Sequence, residues 1–144
     1  MRTSSFLVMG LAGCLATFPD WSAAQSRDGN PSAVYATFET KGSTTELIGL
    51  AVGDVFPGTK VILTCSGTSC PFSTKTINVS SNVKILALTD LFVDPTFQPG
   101  TTLEIRVVPP KAAGKVYVYE TQSSADPKVT KQCLPPGSAK AVAC

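Results

Sequence analysis

From residue 33 onwards, the chain consists of short segments in which apolar and polar residues alternate, separated by turn-forming clusters such as Pro57-Gly58 and Pro99-Gly100. No window of about a dozen residues keeps the apolar spacing of an amphipathic helix. The alternating segments predict seven strands, at residues 33–40, 45–52, 59–65, 75–80, 83–88, 101–108 and 115–121. Short strands at this spacing are typical of a two-sheet fold. The sequence therefore predicts an all-β domain over residues 33–144, an Ig-like antiparallel β-sandwich of about seven strands.

The alternation also assigns each side chain to a face, because neighbouring residues of a strand point to opposite sides. The rows predicted to form the core are Ile48, Leu50 and Val52; Val61, Leu63 and Cys65; and Leu103, Ile105 and Val107. In the last predicted strand, Val116 and Val118 alternate with Tyr117 and Tyr119. A tyrosine hydroxyl can reach water, so we expect the valines inside and the two tyrosines outside as a contact surface. The polar residues 123–131 are predicted to form a loop.

Four cysteines lie within this domain: Cys65, Cys70, Cys133 and Cys144. They allow three disulfide connectivities. The pairing of Cys65 with Cys70 and of Cys133 with Cys144 is favoured, because chain-reversing glycine, serine or proline residues lie between the partners. A zinc site is disfavoured, since Cys133 and Cys144 are too far apart in sequence and the chain has no histidine. Two local disulfides predict folding in an oxidising compartment, with residues 133–144 as a stapled tail.

Residues 1–24 are predicted to be a cleaved signal peptide. Arg2 precedes an uncharged run at 6–18 that is too short to span a bilayer, and Ser22-Ala23-Ala24 has the small side chains of a cleavage site. A second interpretation stays open, because Leu11-Ala12-Gly13-Cys14 matches a bacterial lipobox, in which the cysteine carries lipid. Residues 25–32 are predicted to be flexible. We therefore expect a secreted protein or, with lipid on Cys14, a membrane-anchored surface protein.

Charge and residue types exclude several classes of function. The net charge of +2 is too small to indicate binding to nucleic acid or to an anionic membrane. Without histidine, a serine–histidine or cysteine–histidine pair cannot form. Phosphate-binding and calcium-binding loop motifs are absent from the sequence. Six carboxylates could in principle supply the pair that a glycosidase needs: Glu46, Asp54, Asp90, Asp94, Glu104 and Glu120. Replacement of Asp94 and Glu104 would test such an activity, but the sequence predicts no enzyme, no metal site and no cofactor.

Three pieces of the chain resemble a module of exported proteins from high-GC Gram-positive bacteria. They are PGTKVILTCSGTSCPF at 57–72, LTDLFVDPTFQPGTTLEIRVVPP at 88–110, and GKVYVYE at 114–120 followed by CLPPG at 133–137 and Cys144. The resemblance covers roughly residues 46–144 and implies a secreted or surface β-sandwich. It implies no catalytic activity and no ligand.

These observations favour a non-enzymatic extracellular module of adhesive or structural type, acting at the bacterial cell envelope on a protein or polymer partner. Two alternatives stay open. One is a subunit of a surface fibre, in which the apolar strand at residues 34–38 pairs with the sheet edge of a neighbouring copy. The other is a secreted hydrolase or inhibitor whose site forms only through tertiary contacts.

Overall fold

The computed structural model describes residues 30–144. The strands of this part of the chain are β1 (Ala33–Lys41), β2 (Thr44–Val55), β3 (Lys60–Ser66), β4 (Thr74–Asn78), β5 (Val83–Ala87), β6 (Thr96–Phe97), β7 (Thr102–Val108), β8 (Gly114–Gln122) and β9 (Ala125–Leu134). One turn of 3₁₀ helix, Thr89–Leu91, follows β5. The all-β class is confirmed, and all seven predicted strands are present. β6 and β9 are the additional strands.

The strands form two antiparallel sheets. The first sheet has the order β1-β2-β5, and β6 pairs with the start of β2. The second sheet has the order β4-β3-β7-β8-β9. Strands β1, β2 and β5 thus occupy the places of strands A, B and E in an immunoglobulin domain, and β3, β7 and β8 occupy those of C, F and G. Strand β4 lies beside β3, as strand C′ does in variable-type domains.

The core lies between the two sheets, and eight of its 17 buried side chains within residues 30–144 belong to the predicted rows. The buried members of those rows are Leu50 and Val52 from β2, Val61, Leu63 and Cys65 from β3, and Leu103, Ile105 and Val107 from β7. Full burial of each aliphatic side chain stabilises the fold by roughly 1.5–3 kcal/mol. Phe97 of the short strand β6 joins this core and is completely buried. The apolar rows therefore hold the two sheets together.

The prediction that Ile48 belongs to the core is wrong, because β2 contains a β-bulge. Thr37 of β1 pairs with Gly49, but the next residue, Phe38, pairs with Leu47, so Ile48 has no partner on β1. An extra residue of this kind reverses the alternation of the strand. Leu47 is consequently buried, whereas Ile48 is 48% exposed.

The prediction that Tyr117 and Tyr119 form an outer contact surface is also wrong. Tyr117 pairs with Ile105 and Tyr119 pairs with Leu103, and directly paired residues share one face of a sheet. Since Leu103 and Ile105 lie in the core, the tyrosines lie there too, with only 9% and 6% of their surface exposed. The ring of Tyr119 packs 5.2 Å from that of Phe38. Tyr119 therefore connects β8 to β1, the edge strand of the facing sheet.

Burial of Tyr119 makes the stability of the fold sensitive to high pH. Poor solvation of the phenolate, with a smaller contribution from Tyr117, raises the pKa of Tyr119 from 10.0 to about 12. The resulting stabilisation is complete below pH 10.0, where the phenol is neutral in both folded and unfolded chains, and is lost as the pH rises to about 12. Urea unfolding over this range should show a free energy of unfolding that falls less steeply in Tyr119→Phe. Equal slopes for the two proteins would contradict the burial of Tyr119.

Residues 123–131, predicted to be a loop, belong mostly to strand β9. This strand pairs with β8 and forms an edge of the second sheet. Most of its side chains are exposed on both faces, so it has no apolar alternation from which a strand could be predicted. Pro127 lies at the register shift opposite Glu120 and Gln122, on an edge strand where proline is tolerated. Backbone hydrogen bonds to β8, rather than burial, hold β9 in place.

Both disulfides have the favoured pairing. Cys65–Cys70 joins the end of β3 to the loop before β4, and Cys65 lies in the core. Cys133–Cys144 closes the tail onto β9. The backbones of Cys133 and Val142 also exchange two hydrogen bonds of 2.8 Å, so the end of the tail runs antiparallel to β9.

The tail, residues 135–144, covers part of the outer face of the second sheet. The guanidinium of Arg106 donates a hydrogen bond of 2.8 Å from Nη1 to the carbonyl of Ala139. Val116 and Leu134 face this side and do not belong to the central core, yet only 1% and 2% of their surface is exposed. The placement of Val116 inside the sandwich is therefore wrong, although the side chain is buried.

The predicted signal peptide, residues 1–24, and Cys14 lie outside the described residues. Of the predicted flexible segment, only residues 30–32 are described. The hydroxyl of Ser32 donates to the carbonyl of Asp54 at 2.8 Å, and the Ser32 carbonyl accepts a hydrogen bond of 3.1 Å from Lys115 Nζ. Asn30 and Ser32 are buried. Ser32, the last residue of that segment, is therefore hydrogen-bonded to both sheets.

Candidate contact surface

The outer face of the first sheet carries an exposed tyrosine on a floor of small residues. Tyr35 of β1 stands in one cross-strand row with Ala51 and Ala87, and the neighbouring row contains Ala33, Gly53 and Ile85. The inner rows of the same strands contain the core residues, so these two rows face outward. Tyr35 is 57% exposed and Ile85 is 60% exposed. We call Tyr35, Gly53 and Ile85, with the three alanines around them, the Tyr35 platform.

Gly53 leaves room for the ring of Tyr35 to approach the backbone of β2. A methyl group on Gly53 would lie 2.9 Å from Cε2 and 3.7 Å from the hydroxyl oxygen of Tyr35, closer than van der Waals contact in the first case. The Cε2 edge of the aromatic ring therefore lies against the backbone of β2 at Gly53, and Tyr35 as a whole is 57% exposed. Glycine inside a strand is unfavourable for the strand itself and often marks a close approach of this kind.

A cleft opens at the end of β2 and β5, beside the platform. Its volume is about 360 Å³, and it is lined by Asp54, Val55, Phe56, Asn82, Val83 and Lys84. Phe56 is 48% exposed, so it presents an aromatic ring to the cleft. Asp54 has a positive φ of 51°, an unusual conformation for a residue other than glycine. In a regular strand, Val52 and Val55 would point to opposite faces, because they are three positions apart. Both are buried, so the kink at Asp54 reverses the alternation.

The charged groups of the cleft neutralise each other. Lys84 Nζ lies 2.6 Å from Asp54 Oδ1, and both side chains are substantially exposed. The hydrogen bond to Asp54 and its negative charge raise the pKa of Lys84 above its usual value, with a smaller contribution from Tyr35. The ring of Tyr35 and the backbone carbonyl of Lys84 both lie within 4 Å of the position of a methyl group on Gly53, and Asp54 directly follows Gly53, so the cleft and the platform adjoin each other.

The carboxylates considered for a hydrolase have structural roles in the fold. Asp94 lies in the loop before β6, where its Oδ1 accepts a hydrogen bond of 3.1 Å from the backbone N–H of Thr96. Glu104 lies on the outer face of the second sheet and forms an ion pair with Arg106. Asp94 thus lies in a loop that leads into the first sheet, whereas Glu104 belongs to the second sheet. Within residues 30–144, no three His, Cys, Asp or Glu side chains are grouped closely enough to hold a metal ion.

The strand predicted to pair with another copy, residues 34–38, belongs to β1 and lies at a sheet edge, but its apolar residues are not the exposed ones. β1 is an edge strand that pairs only with β2 among the described strands. Its apolar row, however, faces inward: Val34 is buried, and Ala36 and Phe38 are packed against the core. What β1 leaves open is therefore its backbone edge, together with the outward row that includes Tyr35.

Comparison of the chain with protein-family models, with curated proteins and with solved structures gives no match. In residues 30–144, no helix is long and apolar enough to cross a membrane. The two disulfides indicate an oxidising environment for the folded chain.

Proposed function

We propose that the protein is a secreted, non-enzymatic module that acts by adhesion or as a structural component at the bacterial cell envelope, with the Tyr35 platform as its contact surface. The observation that carries this proposal is the exposed ring of Tyr35, held against Gly53 beside the cleft. The disulfides, the leader at residues 1–24 and the resemblance to exported modules support the extracellular setting.

The physical properties of the platform are those of a contact surface. A contiguous exposed apolar patch with a polar rim marks an interaction site, whereas single scattered apolar residues are ordinary. Tyr35 and Ile85 are both exposed and lie on neighbouring outward rows, beside Asp54 and Lys84. Tyrosine offers a large contact area at a small cost in conformational entropy. The ring of Tyr35 already lies against β2, so little of its remaining freedom is lost on binding. Gly53 therefore preorganises the side chain that makes the contact.

Co-sedimentation of the exported protein with purified cell-envelope fractions tests the proposal. We expect the wild type to sediment with the envelope and Tyr35→Ala to bind at least about tenfold more weakly, because it loses a central aromatic contact. Val93→Ala is the matched control, since Val93 is 94% exposed on a loop away from the platform and should bind like the wild type. Absence of sedimentation at high protein concentration, or equal binding by Tyr35→Ala, would refute the proposal.

A second candidate function, a subunit of a surface fibre, is favoured by the open backbone edge of β1. Nine residues of β1 pair with β2, and the strand contains no proline that would block addition of another strand. Light scattering over a wide range of concentrations distinguishes this candidate. Growth of the particle mass with concentration supports strand pairing between copies, whereas a constant monomer mass excludes it.

A further inference from the structure

The cleft beside the Tyr35 platform has the size of a small-ligand site. Its volume of about 360 Å³ falls near the lower end of the range of roughly 300–1,000 Å³ found for such sites. Phe56 supplies an aromatic ring inside the cleft, and Tyr35 supplies a second ring on the adjoining sheet face. A ligand that covers both rings must continue from the cleft onto the sheet, as a short chain would.

The polar groups of this surface specify the charge of its ligand. Asp54 and Lys84 form an ion pair of 2.6 Å, so the cleft has both an anionic acceptor and a cationic donor but no excess charge. Asn82 adds an amide that can donate and accept hydrogen bonds. A charged ligand would have to compete with this ion pair for one of its members. A neutral ligand with several hydroxyl groups can bond to both members without separating them.

The aromatic rings and the hydrogen-bonding groups together indicate a sugar as the ligand. A pyranose ring has C–H groups on its faces, which pack against aromatic rings, and hydroxyl groups around its rim, which both donate and accept hydrogen bonds. A peptide strand, by contrast, would gain most from the open backbone edge of β5 or β1, not from the flat face over Gly53. The outward face of the platform offers side chains to a ligand, whereas the backbone groups of β1 and β5 point sideways along the sheet.

We infer that the ligand of the Tyr35 platform is a neutral saccharide chain of the cell envelope, with one sugar ring stacked on Tyr35 and its neighbour hydrogen-bonded in the cleft to Asp54, Lys84 and Asn82. This inference rests on the proposed function, because it names the ligand of the same surface. Tyr35 contributes mainly its aromatic face, so removal of its hydroxyl should matter far less than removal of its ring.

NMR titration of the isotope-labelled protein tests the inference, with soluble chitooligosaccharides and maltooligosaccharides as neutral probes and oligogalacturonate as the charged comparison. We expect the neutral chains of at least one type to shift the resonances of Tyr35, Phe56 and Lys84. Tyr35→Ala should weaken this binding at least about tenfold, whereas Tyr35→Phe should stay within about threefold of the wild type. Gly53→Ala keeps the ring but displaces it, and should also weaken binding by about tenfold.

The controls separate failure of this inference from failure of the proposed function. Thermal unfolding of Gly53→Ala and Tyr35→Ala verifies that each variant is folded. If no neutral saccharide shifts these resonances, or if Gly53→Ala binds like the wild type, the inference is overturned. In that case, Tyr35-dependent co-sedimentation with untreated envelope that is lost after protease treatment would show that the partner is a protein, and the proposed function would stand. Absence of co-sedimentation refutes both.

Discussion

Replacement of Phe97 by alanine should lower the free energy of unfolding by about 3–5 kcal/mol. Phe97 is completely buried although its strand, β6, has only two residues. Its ring stands edge-to-face to Phe92 with 6.0 Å between centroids, and Phe92 in turn packs 5.1 Å from Phe72. Replacement of Phe97 leaves a cavity beside the ring of Phe92. Because β6 pairs with β2 over only two residues, its backbone hydrogen bonds compensate little for the lost packing. Urea or thermal unfolding measures the loss directly.

Val93→Ala is the matched control for this prediction. Val93 lies in the same connection but is 94% exposed, so its replacement should change the free energy of unfolding by no more than about 0.5 kcal/mol. Equal effects of the two substitutions would show that the connection between β5 and β7 does not close the core. A loss of less than about 1 kcal/mol in Phe97→Ala would contradict the packing of its ring.

The two disulfides should differ in what they stabilise. Replacing Cys65 and Cys70 together by alanine should cost about 2–4 kcal/mol, because the pair restrains the unfolded chain and Cys65 also fills part of the core. Replacing Cys133 and Cys144 should instead loosen the tail, with less than about 1 kcal/mol lost from the central sheets, because the tail lies outside the core. Denaturant unfolding of both double variants measures the global losses.

Hydrogen exchange distinguishes the local effect from the global one. In the Cys133/Cys144 double variant, the amide of Val142, which donates to Cys133 at 2.8 Å, should exchange much faster. The amides of Leu63 and Ile105, in the centre of the second sheet, should keep their protection. Faster exchange at all these amides would contradict the independence of the tail from the core.

The alternating rows could be predicted because they depend on local chemistry. Polar and apolar residues alternate from Thr102 to Val107 in β7, and in β3 only Ile62 departs from the alternation. Val61, Leu63, Leu103 and Ile105 are buried as predicted. The disulfide pairing was predictable for a related reason: the turn-forming residues between Cys65 and Cys70 bring these neighbours together without help from the rest of the fold. Such features need no knowledge of which strands become neighbours.

The features that the sequence did not predict depend on neighbouring strands. The bulge at Ile48 is visible only in the pairing of β2 with β1. Both faces of β8 carry apolar residues, so its own sequence does not show which face points to the core. The pairing of Tyr117 and Tyr119 with Ile105 and Leu103 of β7 determines that the tyrosines point inward. β9 is stabilised by its hydrogen bonds to β8, and its polar residues carry no sign of this.

The Tyr35 platform was missed for the same reason, although a signal for it exists in the chain. Gly53 interrupts β2 at an outward position where a strand ordinarily carries a larger side chain. A glycine at such a position indicates that another group lies close to the backbone of β2. That the occupant is Tyr35, from the adjacent strand, becomes evident only from the register of β1 against β2.

Modification of the tyrosines, followed by mass spectrometry, tests the central claim most directly, because the chain has three tyrosines in contrasting positions. In the free protein, a tyrosine-selective reagent should modify Tyr35, which is 57% exposed, and should spare Tyr117 and Tyr119, which are 9% and 6% exposed. On binding to the cell envelope, Tyr35 should become protected. Rapid modification of Tyr117 or Tyr119 in the free protein, or undiminished modification of Tyr35 in the bound protein, would contradict this account.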